Sequence, residues 1–176
     1  ALPIYINPIN PKNKPGISSG FSNKRLHPLE GKLKVHNGVD IVARKNTPVY
    51  AAADGVVKKS KFFNGKAGHS VEITHRFGFA TRYFHLSIFI VKNGEKVRKG
   101  QIIGFLGTTG ASTGPHLHYE LLKNGKHINT EINLTSEIEV MNSSGELKVQ
   151  NSEQQVLEFF NLQKEITEYL NNFNHS

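Results

Sequence analysis

Between Gly20 and Leu134 the apolar residues fall in short runs of alternating character, separated by glycine-bearing turns. In "HSVEITH", Val71 and Ile73 share one face, while Ser70, Glu72 and Thr74 share the other, the two-residue period of a half-buried strand. In "FATRYFHL" the same period puts Phe79, Thr81, Tyr83 and His85 together on one face. "EKVRKGQIIGFLG" reads as strand, Lys99-Gly100 turn, strand. "HLHYELLKNGKHI" reads as a hairpin closed by Asn124-Gly125, a strong two-residue turn signal. "TPVYAAADGVVKKSKF" places two strand-like runs around Asp54-Gly55, with three small residues, Ala51 to Ala53, between them. The pattern predicts a mainly β domain over 20–134, antiparallel and closely packed as a sandwich or narrow barrel.

Both flanks differ from this. Residues 1–19 carry four prolines among Asn, Lys and Ser and predict an irregular N-terminal arm. In the C-terminal extension, 135–176, apolar residues at Val156, Leu157, Phe159, Phe160, Ile166, Tyr169, Leu170 and Phe173 follow helical spacing. An amphipathic α-helix is expected over about 153–173, with Ser152 as N-cap and Gln155 completing a capping box. Such a helix could dock on the β domain or pair with another subunit, of the same or a related chain.

Composition narrows the chemistry. At 176 residues the chain suits one domain with a real core, and no apolar run approaches the 18 residues of a membrane helix. It opens on Ala1 rather than Met, as a processed product or an excised piece would, so any signal or membrane anchor would lie upstream. With no cysteine, thiolate zinc sites and disulfides are excluded, which leaves His, Asp and Glu as metal ligands. The net charge of +8 favours anionic surfaces such as nucleic acid, headgroups or wall polymers. Lys58, Lys59 and Lys61 cluster, but without an accompanying RNA-binding aromatic signature, which argues against nucleic acid.

The histidines carry the candidate chemistry. In "STGPHLHYELL", His116 and His118 face one side of a strand about 6.5–7 Å apart, with Glu120 returning to that face. In "VHNGVDIVA", His36 and Asp40 would stand about 13 Å apart on a straight strand, too far for one ion. Asn37-Gly38 between them allows a bend that brings them together. His36, Asp40 and His118 then make a two-His, one-carboxylate set with an open position, the pattern of a catalytic zinc. His116 would lie beside the metal as a general base, and His85 would orient water or stabilise charge on the substrate.

These residues carry a family resemblance. "HNGVDIVARKNTPVYAAADGVV", "VEITH", "TRYFHLS" and "VRKGQIIGFLGTTGASTGPHLHYEL" resemble the LytM/lysostaphin-type zinc metallopeptidases, in the family's order, from about Ser19 to Leu122. The tail and composition would suit the cell-shape-determining Gram-negative subgroup. The resemblance implies the compact antiparallel fold of these peptidases (the duplicated hybrid motif) and one Zn2+ held by His36, Asp40 and His118. It places His116 and His85 in the catalytic site. It also implies an exported protein of the periplasm or cell envelope acting on peptidoglycan stem peptides. Gly68-His69 departs from the family, which usually carries Asn at the second position; it is not a ligand position.

The implied activity is a zinc endopeptidase in which His116 assists attack of zinc-bound water on a cross-link amide, a D,D-type bond being favoured by analogy over glycyl-glycine bridges and other stem-peptide bonds, which stay open. Glu120 would orient an imidazole from behind and Tyr83 would donate a hydrogen bond. Thr109, in the "GTTGASTGPH" loop, would line a peptide groove. His75 is expected at a structural or rim position and His27 near the site or at a strand end. His69, His127 and His175 are expected at the surface. The main alternative is a catalytically silent wall-binding or partner-activating module on the same fold. A sugar-phosphotransfer carrier domain would require neither Asp40 nor a metal.

Overall fold

The computed structural model describes residues 6–26, 33–62 and 65–130, and side chains within these except at 23–26, 33 and 34. All of them lie in the first of two units into which the chain divides, 1–138 and 139–176. The expected helix over 153–173 and its contacts lie outside the described residues, as do His27 and His175.

The strands, in chain order, are β1 (Gly16–Ser19), β2 (Ser22–Leu26), β3 (Leu33–His36), β4 (Val39–Val42), β5 (Pro48–Tyr50) and β6 (Gly55–Lys61). They continue with β7 (His69–Thr74), β8 (Phe79–Phe89), β9 (Lys96–Val97), β10 (Ile102–Leu106), β11 (His116–Lys123) and β12 (Lys126–Ile128). The described α-helical content is nil; three single-turn 3-10 segments are the only helical pieces among the described residues. The large sheet runs β1-β4-β11-β8-β7-β6-β9, with β12 on β11 and β10 joining β8 to β5, and every pairing is antiparallel. Its order does not close on itself, and β2 and β3 form a separate two-stranded sheet. The mainly β, antiparallel expectation therefore holds, with an open sheet in place of a barrel.

Alternation sorts the two faces. Cross-strand neighbours Ile41 and Leu117, Val39 and Tyr119, Tyr119 and Tyr83, and Tyr83 and Val71 are all buried to within 2%. Burying a side chain of this size stabilises by about 1.5–3 kcal/mol. This continuous apolar face across β4, β11, β8 and β7 is the core. The opposite face carries the polar half of the same alternation, with Asp40 opposite His118 and Glu120 opposite Arg82.

Two local expectations change. The runs flanking Asp54-Gly55 are not a hairpin: β5 pairs with β10, while β6 pairs with β7 and β9. The alanines between them are at most 3% exposed and pass tightly beneath the sheet. The arm is not irregular throughout, because Gly16–Ser19 is a strand on the edge of the main sheet against β4. Ahead of it, Ile6 N–H donates to the Ala52 carbonyl (2.9 Å) and Tyr50 N–H to the Pro8 carbonyl (2.9 Å), which ties the arm to the domain. The Asn124-Gly125 hairpin forms as expected, with both residues at positive φ, 49° and 77°.

Candidate metal centre

Three elements converge on Asp40. The chain turns at Asn37-Gly38, and His36 at the end of β3 comes back over β4, with Nε2 3.3 Å from Asp40 Oδ1. Glycine is required at 38 because a Cβ there would strike the Tyr119 carbonyl of β11. The β4–β11 register sets His118 directly opposite Asp40, with Nδ1 2.8 Å from Oδ1 across 78 residues of chain. One donor atom from each of His36, Asp40 and His118 lies within 4.8 Å of the others. No described residue outside this trio forms such a group.

Each ring is held from behind. His36 Nδ1 donates to the Gly20 carbonyl (2.6 Å), with Ser19 Oγ 3.3 Å away. In the neutral ring the lone pair of Nε2 then faces a carboxylate oxygen, two acceptors that a shared cation reconciles. His118 Nε2 donates to Glu120 Oε1 (3.2 Å), which leaves Nδ1 for Asp40 or a metal. Phe84 stacks flat on the His118 ring, centroids 5.5 Å apart and planes 7° from parallel. Carbonyl and carboxylate partners on the distal nitrogen are the usual means of fixing a ligand tautomer. The donor set, two imidazoles and one carboxylate, suits zinc with a position left open.

Charge follows from this geometry in the metal-free protein. Burial alone would lift the Asp40 carboxyl, but the adjoining imidazoles of His118 and His36 hold it far below the usual carboxylate range. Burial would depress His118, yet Asp40 and Glu120 push it up to about 9. Glu120 is also lowered: burial opposes ionisation, and His118 and His127 outweigh it.

His116 begins β11 on the same face. Its Nδ1 donates to the Gly114 carbonyl (2.9 Å), with Ser112 Oγ 3.1 Å from the same nitrogen. Its Nε2 faces Asp40 Oδ1 at 3.8 Å. His85 arrives by a different route. Strict alternation places it with Tyr83 on the core face, but its φ is +62°, and the β7–β8 register skips a residue between Val71↔Tyr83 and His69↔Leu86. This bulge turns the ring over to the metal face, where its centroid lies 4.6 Å from that of His116. A left-handed backbone at a non-glycine residue costs about 1–2 kcal/mol, so the surroundings must hold it. Thr109 does so: its carbonyl accepts from His85 Nδ1 (2.8 Å), and its hydroxyl donates to the Leu86 carbonyl (2.6 Å). Burial lowers the His85 pKa, partly countered by the Thr109 carbonyl.

The structure separates Tyr83 and His75 from this group. Tyr83 is wholly buried, its ring is 5.4 Å from that of Tyr119, and its hydroxyl bonds to Thr81 and to Ala52 N–H. A substrate hydrogen bond from Tyr83 is thus ruled out by its position on the core face. His75 bonds the Asp54 carbonyl and Thr81, a structural role. Two residues with no local sequence signal also reach the site. Arg82 Nη1 and His127 Nε2 both bond Glu120 Oε2, at 3.3 and 3.1 Å. His127 was expected at the surface; only the β11–β12 hairpin register brings it to Glu120.

Comparison with known proteins agrees with this geometry. Residues 34–130 match Peptidase family M23. The chain is 52% identical over 113 residues to Peptidoglycan DD-endopeptidase ShyC of Vibrio cholerae, a match covering 64% of this chain and 26% of that protein. A zinc-containing peptidase from Vibrio cholerae superposes with a TM-score of 0.67 and 34% identity, over 76% of this chain and 40% of that one. The catalytic domain of lysostaphin from Staphylococcus simulans gives 0.61 and 32%, over 70% and 95%.

Proposed function

The chain belongs to peptidase family M23, the LytM/lysostaphin-type zinc metallopeptidases, and from that footing we propose that it hydrolyses amide bonds in peptidoglycan cross-links as a D,D-endopeptidase of the periplasm or cell envelope. The observation that carries this reading is the convergence of His36, Asp40 and His118 within 4.8 Å, with two further imidazoles alongside. His36 Nε2, an Asp40 oxygen and His118 Nδ1 would hold the zinc. When bound there, zinc supplies Lewis acidity, making water acidic and an amide carbonyl electrophilic.

The protein's own groups perform the proton chemistry. With its Nδ1–H committed to Gly114, His116 presents a basic Nε2 that takes the proton of the attacking water and returns it to the leaving nitrogen. The Gly114 carbonyl steadies the imidazolium formed between those steps. His85, with Nδ1–H committed to Thr109, likewise presents an acceptor, so it orients water through an O–H rather than donating to an oxyanion. Val42, 38% exposed and opposite His116 in the register, supplies apolar floor for an extended stem peptide beside the reacting bond. The chain spans about a quarter of the length of the curated relatives it matches, so the activity is read for this domain.

Incubating the zinc-loaded protein with isolated peptidoglycan and resolving the muropeptides tests the reading. Cross-linked dimers should disappear with wild type and persist with His116→Ala and Asp40→Ala. Persistence of dimers with zinc-loaded wild type would overturn it.

A further inference from the structure

Glu120 divides its carboxylate between two tasks. Oε1 takes the Nε2–H of His118 (3.2 Å), while Oε2 accepts from Arg82 Nη1 (3.3 Å) and His127 Nε2 (3.1 Å). Its side chain is 7% exposed, so these three partners, not water, decide where it points. Arg82 is itself anchored: its Nε donates to Glu72 Oε2 (2.8 Å), and Glu72 pairs with Lys58 Nζ (3.1 Å). The row Glu120, Arg82, Glu72, Lys58 crosses β11, β8, β7 and β6 on the metal face of the sheet. A buried carboxylate with only His118 as partner would be free to rotate about its terminal torsion. Two donors on the opposite oxygen remove that freedom.

We infer that Arg82 and His127 are positioning residues for the metal centre: by clamping Glu120 Oε2 they hold Oε1 on His118 Nε2 and so keep Nδ1 aimed at the metal. This rests on the zinc reading above. It differs from a purely stabilising ion row in one respect: the clamp acts through Glu120, so its loss changes metal affinity, and only while Glu120 is present. Removing an outer partner of a metal-bound imidazole typically weakens metal binding by about 10–100-fold.

The test is a chelator-competition titration of zinc into the full 176-residue chain, with the melting temperature of the metal-free protein measured alongside. Glu120→Ala is expected to weaken zinc binding by about 10–100-fold. Arg82→Met and His127→Ala should each weaken it by severalfold. His127→Gln, whose amide still donates to Oε2, should restore most of the loss. Adding Arg82→Met to Glu120→Ala should cause no further loss, because the two act in series. Wild-type zinc affinity in Arg82→Met and His127→Ala, or losses that simply add in the double variant, would overturn the inference while leaving the zinc reading intact. Wild type that binds no zinc would overturn both.

Discussion

Two histidine networks occupy opposite faces of the same sheet, and they differ in what they leave unspent. On the core side, His75 bonds the Asp54 carbonyl through Nδ1 and the Thr81 hydroxyl through Nε2. The Thr81 hydroxyl donates to the Tyr83 hydroxyl, which also receives Ala52 N–H, so each of these groups has a protein partner. Burial then explains the rest: it depresses His75 and pushes the Tyr83 hydroxyl up to about 12. On the metal side, His36, His116 and His85 each commit one nitrogen to a carbonyl, and three second nitrogens remain with lone pairs around Asp40 and the open position. A saturated network fixes structure, whereas one that converges unsatisfied acceptors on a point is built for a cation and a proton.

Perturbing each network in turn sharpens that contrast. The largest effect belongs to Asp40→Ala or His118→Ala, each of which should abolish stoichiometric zinc by elemental analysis and reduce muropeptide cleavage to background. Next comes His116→Ala, which should keep about one zinc per chain yet lower kcat by about 10²–10⁴-fold, the usual worth of a general base. Retained activity in that variant would reassign the proton transfer. In the saturated network, Tyr83→Phe strands Ala52 N–H and Thr81, so chemical denaturation should show a loss of about 1–3 kcal/mol. Zinc affinity should stay at the wild-type value; a matching drop would mean the two networks are coupled.

The smallest effect is protonic. In the metal-free protein His118 titrates near 9, so its ring is charged at pH 7 and must shed that proton to bind zinc. Calorimetry in buffers of different ionisation enthalpy should report release of about one proton at pH 7, fading above pH 9. The same raised pKa makes a stability statement with a definite sign. The contribution of His118 is fully present below its unfolded value of 6.5 and is lost as pH rises through about 9. Metal-free protein should therefore melt lower at pH 9.5 than at pH 6.5, and a melting curve flat over that range would remove the His118–Asp40 pair as its cause.

Sequence alone determined most strands between Pro48 and Ile128, most of their inward and outward residues, the hairpin at Asn124-Gly125 and the candidate ligand types, because periodicity, turn chemistry and side-chain chemistry are local properties. The bend at Asn37-Gly38 was legible for the same reason. Tertiary structure decided everything that depends on register between distant strands. It set Asp40 opposite His118, moved Arg82 and His127 onto Glu120 and made an edge strand of Gly16–Ser19, whose neighbour Gly20 holds His36. It also overruled a local rule at His85, where one bulge reversed the face that alternation predicts, while Tyr83, two residues earlier, stayed in the core. The physical reason is the same in each case: a strand's own sequence sets which side chains share a face, but only its partners decide where along that face they meet.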